Sequence, residues 1–189
     1  DKFSGWDRIE TGTRANVGAQ YTFQSKGGGY ARFIAGQSFH VGGDNPYEDP
    51  GFIRDPKTNL LVANFSPRSG LDTNRSDYVI GAYLAPTSTF KLVSQARFDE
   101  TELSLRRANI YSNFNFGPVS LHGQYSYTRD DPLLNILQSE QELLGGATLK
   151  LTDTWSIGAL ARYDLDARFT LQDQFIVKYT DECFVLTAT

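Results

Sequence analysis

The sequence predicts an all-β chain: an antiparallel, up-and-down transmembrane β-barrel segment of about ten strands, forming part of a larger barrel. Three observations predict it. Apolar and polar residues alternate with period two along most of the chain, aromatic residues make up 13% of it, and 17 glycines accompany almost no run of helical apolar spacing. Mean hydropathy is −0.39, and no stretch approaches about 18 consecutive apolar residues, which excludes a helical span. A membrane strand needs only every second residue apolar over roughly 9 to 11 positions, so low hydropathy agrees with a barrel.

The first strand covers residues 14–24, with Ala15, Val17, Ala19, Tyr21 and Phe23 on one face and Arg14, Asn16, Gln20 and Thr22 on the other. After a turn at residues 25–29, a weaker second strand sets Ala31, Phe33, Ala35 and Phe39 against Arg32, Ile34, Ser38 and His40. A long polar connection over about 41–75 holds four of the seven prolines and is expected as an extracellular loop. The third strand carries Tyr78, Ile80, Ala82 and Leu84; the fourth sets Phe90, Leu92, Ala96 and Phe98 against Lys91, Gln95 and Arg97. The fifth, after a connection at 99–106, sets Ala108, Ile110, Phe114 and Phe116 against Arg107, Asn109 and Asn113, and Gly117-Pro118 turns the chain. In the sixth, Val119, Leu121, Tyr125 and Tyr127 oppose Ser120, His122 and Gln124. The seventh carries Leu143, Ala147, Leu149 and Leu151, beside the polar-face Lys150. The eighth carries Trp155, Ile157, Ala159, Tyr163 and Leu165 opposite Arg162, and the ninth Leu171, Phe175, Val177 and Tyr179 opposite Lys178. A tenth begins at Cys183.

Alternation alone also fits a soluble β-sandwich. The connections favour a barrel, whose short periplasmic turns alternate with longer extracellular loops. Here the odd connections (25–29, 86–89, 117–118, 153–154, 180–182) are short, and the even ones (41–75, 99–106, 129–140, 164–168) are equal or longer. The apolar rows carry one charge, Asp173, expected near the outer interface or at a bulge. The rows thus read as lipid-facing (Val17, Tyr21, Phe23, Ile80, Leu92, Ile110, Leu121, Tyr125, Trp155, Ile157, Val177), and the opposite side as lumen-facing (Arg14, Asn16, Gln20, Lys91, Arg97, Arg107, His122, Gln124, Lys150, Arg162, Lys178). Tyr21, Phe23, Trp155 and Tyr179 cluster toward the short turns and Tyr125 and Tyr127 toward the long loops, as interfacial girdles do.

Net charge of −4 without a basic stripe argues against nucleic acid. The chain opens at Asp1 with neither Met nor signal peptide and is read as a mature or excised segment. Ser38 with His40, and Ser120 with His122, share strand faces, but residues two apart on a strand stand roughly 7 Å from each other, and polar lumen residues are the favoured reading. Asp44, Glu48, Asp49 and Asp55 offer oxygen ligands without a regular cation-binding spacing, so a solvated acidic loop is favoured over a metal site. Neither metal nor cofactor is expected. The luminal cations are expected either to guide an anion or, by default, to pair with Asp99, Asp164 and their neighbours. The lone Cys183 falls beside a short, periplasmic turn, where an oxidising compartment favours a bridge to another segment; a buried inert thiol is the alternative.

Ser4-Gly5-Trp6-Asp7-Arg8-Ile9 and Thr13-Arg14-Ala15-Asn16-Val17-Gly18 resemble the lipopolysaccharide-assembly family LptD. So do Gly36-Gln37-Ser38-Phe39, Ser69-Gly70-Leu71-Asp72-Thr73-Asn74-Arg75-Ser76-Asp77-Tyr78, Arg97-Phe98-Asp99 and Asp181-Glu182-Cys183-Phe184, in order along nearly the whole chain. The resemblance implies a barrel of about 26 strands, with this chain among its late strands. It further implies receipt of lipopolysaccharide from a periplasmic bridge, delivery to the outer leaflet, a lumen plugged by the lipoprotein LptE, and no catalysis. The jellyroll, the early strands, the last strand and so the lateral gate would lie outside this segment. The family carries adjacent cysteines bridged to its periplasmic domain; Cys183 matches one position and Glu182 stands at the other. Two rivals remain: a self-contained small barrel, either porin or lipase-like enzyme, and a soluble sandwich acting as a binding module.

Overall fold

The computed structural model describes residues 12–45, 47–48, 52–54, 59, 61–63, 70–130 and 138–189. Ten strands form one antiparallel sheet in chain order: β1 (Thr13–Gln24), β2 (Tyr30–Gly42), β5 (Tyr78–Ala85), β6 (Phe90–Phe98), β7 (Leu105–Phe116), β8 (Val119–Thr128), β9 (Glu140–Lys150), β10 (Trp155–Asp164), β11 (Phe169–Thr180) and β12 (Val185–Ala188). Inside the long connection, β3 (Phe52–Arg54) and β4 (Leu61–Ala63) pair as a separate hairpin. The periodicity missed it because three residues per strand cannot display an alternation. The sheet is open, with β1 and β12 as its edges.

Antiparallel partners share a face, so the register sorts the side chains across the whole sheet. One row runs Tyr21–Phe33–Ala82–Ser94–Ile110–Tyr125–Leu143–Tyr163, and another Phe114–Leu121–Ala147–Ala159–Phe175. On the reverse face lies Lys91–Asn113–His122–Gly146–Leu160–Gln174. Every residue expected toward lipid falls on the first face, and every polar residue expected toward a lumen falls on the second.

No second sheet covers either face among the described residues. Tyr47 is the one buried large hydrophobic residue there, whereas Val17, Tyr21 and Phe175 stay 60% exposed or more. A soluble sandwich stacks its apolar rows against a partner layer, so the single-layer sheet overturns that rival.

The turns are built locally. Thr152 Oγ1 accepts the N–H of Trp155 at 2.9 Å, Asp181 Oδ1 those of Cys183 and Phe184 at 2.8 Å, and Asp164 Oδ1 those of Asp166 and Ala167. These side-chain bonds stand in for the missing backbone partner of a tight turn. Gly117 has φ +54° ahead of Pro118, the sign sequence of a II′ hairpin turn, which asks for Gly first. Short and longer connections alternate as expected. Several boundaries move: β2 runs on to Gly42, β7 starts earlier at Leu105, Leu151 and Leu165 lie in turns, and the last strand starts at Val185 because Asp181 ties Cys183 and Phe184 into the preceding turn.

Both edges present unpaired backbone groups, and isolated edges aggregate. The purified segment should therefore elute from size-exclusion chromatography in detergent as heterogeneous oligomers. A monodisperse monomer would mean that β1 and β12 close on each other.

Candidate functional site

Nearly all the buried side chains of the described residues gather at one place. There the end of the long connection folds over the polar face at the loop end of β1, β2, β5 and β6. Ser38, Tyr47, Ser76, Asp77 and Asp99 are buried. Residues 74–77 continue β5 irregularly beside β2, through Asn74 O accepting from His40 N and Ser38 O from Ser76 N, each at 2.8 Å. The Ser76 hydroxyl accepts from Ser38 N at 2.8 Å, and its carbonyl accepts from Gln37 Nε2 at 2.8 Å. Arg14 reaches over from β1: Nη2 donates to Asn45 Oδ1 (2.9 Å) and Leu71 O (3.1 Å), and its guanidinium lies over the Tyr47 ring at 5.3 Å. Asn45 Nδ2 donates to the same Leu71 carbonyl at 3.0 Å. One arginine thus staples two arms of the loop to the sheet.

Beneath this strap lies a four-charge network. Asp77, 2% exposed, meets Arg97 Nε at 3.1 Å and Arg106 Nε at 3.6 Å; Arg106 also clamps Asp99. Burial pushes the Asp77 carboxyl above its usual range, against the pull of Arg106 and Arg97. Asp99 goes the other way: the amides of Glu102 and Thr101 and the Arg106 guanidinium, the Glu102 amide foremost, hold it down at about 2.

Arg106 reaches the network through a bulge. Arg97 pairs with Arg107 but Phe98 with Leu105, so Arg106 is the extra residue, free of strict alternation. Its place in the connection at 99–106 gave no sign of this role. The doublet Arg106-Arg107 at a strand start, seven residues after an aspartate, was the available signal.

Gly70 seats the strap. Its φ is +68°, and a Cβ there would stand 2.6 Å from Asp77 Oδ2 and 2.8 Å from Cγ. Behind it, Arg14, Ser38, Tyr47, Ser76, Asp77 and Arg97 line a cavity of about 480 Å³. Nearer the rim, His40, Asp44, Glu48 and Asp72 line a wider cleft of about 810 Å³. Of the four loop acids read as possible ligands, Asp44 and Glu48 stand here, and Asp49 and Asp55 lie outside the described residues. Asp77, Asp99 and Glu100 bring carboxylate atoms within 4.8 Å of one another, but Arg97 and Arg106 answer that charge.

Arg97 pairs with Asp77 rather than Asp99, and Lys91, Lys150, Arg162 and Lys178 form no ion pair among the described residues, so the default pairing expectation fails for them. Neither serine–histidine pair is hydrogen-bonded. Ser38 Oγ and His40 Nε2 each lack a partner, and the His122 ring lies across Gly146, where a Cβ would stand 2.2 Å from it. Asp173 stays on the apolar face opposite Ala161, one rung short of the β10/β11 bulge rather than in it. Val79, Val93, Leu144, Leu160 and Ile176 stand on the otherwise polar face. Alternation hid them because apolar residues on both faces look like continuous runs. Cys183 is free and exposed, so the buried-thiol alternative falls.

A family model described as LPS transport system D, LptD, matches residues 1–155, well over half of the chain. No curated protein matches it.

Two tests address the strap. Replacing Gly70 with Ala forces a clash with Asp77 and a left-handed alanine, costing about 1 kcal/mol for the backbone alone; faster limited proteolysis after residue 70 is expected in the assembled protein. For Asp99, a carboxyl held below its ordinary 3.8 stabilises the fold above that value and loses the contribution as pH falls toward about 2. Asp77, shifted upward, has the opposite sign and relaxes on acidification before that window is reached. The protection factors of the Thr101 and Glu102 amides, measured by hydrogen–deuterium exchange and corrected for the intrinsic pH dependence of the rate, should hold down to about pH 4 and fall below it, and the Asp99→Asn variant should lack the step.

Proposed function

The chain belongs to the LPS transport system D family, LptD, an outer-membrane family of transport components, and on that premise we propose that it forms barrel wall of the translocon that assembles lipopolysaccharide into the outer leaflet. One observation carries the reading: among the described residues, ten strands keep an uncovered apolar face and a polar face across one continuous sheet whose register shifts only at its loop end. Hydrocarbon covers the face of Leu121, Tyr125 and Ile157, and water wets that of Arg97, His122 and Gln124. Along the apolar face the Trp155–Tyr179 pair, with ring centroids 5.0 Å apart, sits at the short-turn interface. Asp173 stands six residues along β11 from Tyr179, roughly 20 Å at strand rise, which puts it toward the opposite interface. Short turns then face the periplasm, and the connection at 41–75 is extracellular, its described end at 70–75 folding back over the lumen.

The role is structural. Lipopolysaccharide passes the polar face, supplied by a periplasmic bridge through a domain outside this chain, and the lipoprotein LptE shares the lumen. Cys183, exposed in a periplasmic turn, is available for a disulfide to that domain. Asp181 fixes the turn that presents it: amide hydrogen bonds from Cys183 and Phe184 hold its carboxyl below the usual range.

Solvent assignment is testable with two single substitutions to arginine on β8. In the full-length protein, Leu121→Arg should cost about 2 to 4 kcal/mol of barrel stability and abolish the heat-modifiable folded band. Gln124→Arg, on the other face, should assemble normally. Equal tolerance of both would sink the membrane reading; failure of the second alone would place the dry side on the other face.

A further inference from the structure

The charges of the polar face are not spread evenly. Among the described strands, the loop end mixes both signs: Arg14, Arg97 and Arg107 stand with Asp77, Asp99, Glu142 and Asp164. Below the rung Arg32–Tyr83–Val93–Tyr111–Gln124–Leu144–Arg162, counted toward the short turns, the composition changes. From that rung downward the charged residues are Arg32, Lys91, Lys150, Arg162 and Lys178, and none is acidic. Apart from Arg32, which lies over the Tyr30 ring at 5.7 Å, these side chains have no charged or aromatic partner among the described residues. The carboxylates nearest this end, Asp153, Asp181 and Glu182, stand in the turns, and Asp181 is engaged by Tyr179 Oη and two turn amides.

We propose that the short-turn half of the polar face is an anion-receiving belt, with Lys91, Lys150 and Lys178 contacting the phosphate groups on the saccharide portion of lipopolysaccharide. This rests on the transport reading above and names the residues that meet the cargo's charge. Lys150 and Lys178 face each other across Ser156 in one rung, two strand spacings or roughly 10 Å apart. Between them and Lys91 the face offers Asn113, Asn115, Ser120 and Thr148, short donors and acceptors suited to sugar hydroxyls.

A folded acidic protein is the weaker fit. Stable interfaces centre on an apolar, aromatic core depleted of lysine. Here the apolar and aromatic residues fall in two narrow strips, Tyr83–Val93–Tyr111 at the upper rung with Tyr30 against Tyr83, and the diagonal Leu144–Leu160–Ile176, and the three lysines stand outside both. Lysine ammoniums on long stems hold a point charge without fixing orientation, as a passing group requires, whereas a docked one calls for the arginine fork. Unpaired cations with no nearby acid also keep their full attraction for an anion instead of spending it internally.

The test uses the full-length protein in cells, with a photoreactive amino acid at Ser120, beside the belt. Crosslinking to lipopolysaccharide is compared in the unsubstituted background, in Lys91→Gln/Lys150→Gln/Lys178→Gln, and in the matching triple Lys→Arg form. Purified protein in proteoliposomes is then offered purified lipopolysaccharide, or the same material after chemical dephosphorylation. The glutamine triple should crosslink about five- to tenfold less, three exposed charge contacts each contributing a factor of about two, while the arginine triple crosslinks normally. Dephosphorylated material should crosslink poorly to the unsubstituted protein, a comparison that needs no variant to fold. Crosslinking that is indifferent to both charge and phosphate overturns the belt while leaving the transport reading intact. So does a lysine-dependent crosslink to a protein alone, which would identify an acidic plug as the occupant. Loss of all lipopolysaccharide crosslinks from every polar-face position in the unsubstituted protein would instead remove the transport reading, and the belt with it.

Discussion

The hydrogen-bond register of the ten-stranded sheet is the constraint from which the other features follow. A single layer has no interior in which to bury side chains, so order comes from backbone pairing, and the pairing also decides which side chains meet which solvent. With a side-chain period of two, a slip of one residue in any hairpin would carry that strand's apolar row to the polar side. The turns prevent this. Thr152, Asp164 and Asp181 cap their own turns, and Gly117 holds a two-residue loop that leaves Phe116 opposite Val119. Each is a local device, but together they set the alignment of rows running from β1 to β12.

Departures from that register are confined to one end. The three irregular pairings, at Thr13/Arg14, at Arg97/Phe98 and at Arg162/Tyr163, all lie where the longer connections leave the sheet. A bulge exchanges one ladder position for the freedom to re-aim a side chain. At β6/β7 that freedom brings Arg106 to Asp77 and Asp99, and the buried pair Asp77–Arg97 then has the second cation it needs to compensate two acids. Removing one member of such a network leaves a charge stranded, a cost of about 3 kcal/mol or more. The strap over residues 70–77 is therefore tied to the sheet by charges that only its irregular end can gather.

Much of this was legible in the residues. Alternation in β1, β7 and β8 is nearly uninterrupted, and their polar partners are short or charged, so face and strand could both be read. What escaped did so for definable reasons. The β3–β4 hairpin is too short to show a period. Leu144, Leu160 and Ile176 sit on the otherwise polar face of strands whose other face is also apolar, where period two gives no contrast. Arg106 is displaced by a bulge, which leaves no mark in a count of alternating residues. The strap depends on contacts between residues up to 57 apart in sequence, such as Arg14 with Leu71, and no local pattern encodes these. Gly70 and Asp77 stood in the stretch resembling the family, but only the geometry explains them: one has no Cβ because the carboxylate of the other occupies that space.

On either side of the rung that holds Arg32 and Arg162, the polar face also divides its basic residues by type. Arg14, Arg97 and Arg106 serve the strap, where a planar guanidinium must satisfy several fixed acceptors at once: Arg14 binds a side-chain amide, a backbone carbonyl and a ring, and Arg106 two carboxylates. Lys91, Lys150 and Lys178 stand at the other end, where they have no fixed acceptor among the described residues. The exchange is not symmetrical, because the lysine end asks only for charge while the strap asks for the guanidinium fork. A lysine in place of Arg14 could not span Asn45, Leu71 and Tyr47 together, and acids placed among the lysines would cancel the charge by pairing with it. If one end holds a folded loop and the other receives a mobile, charged solute as proposed, the cations must be neutralised in one place and unpaired in the other, and the register of the sheet keeps the two about half a strand apart.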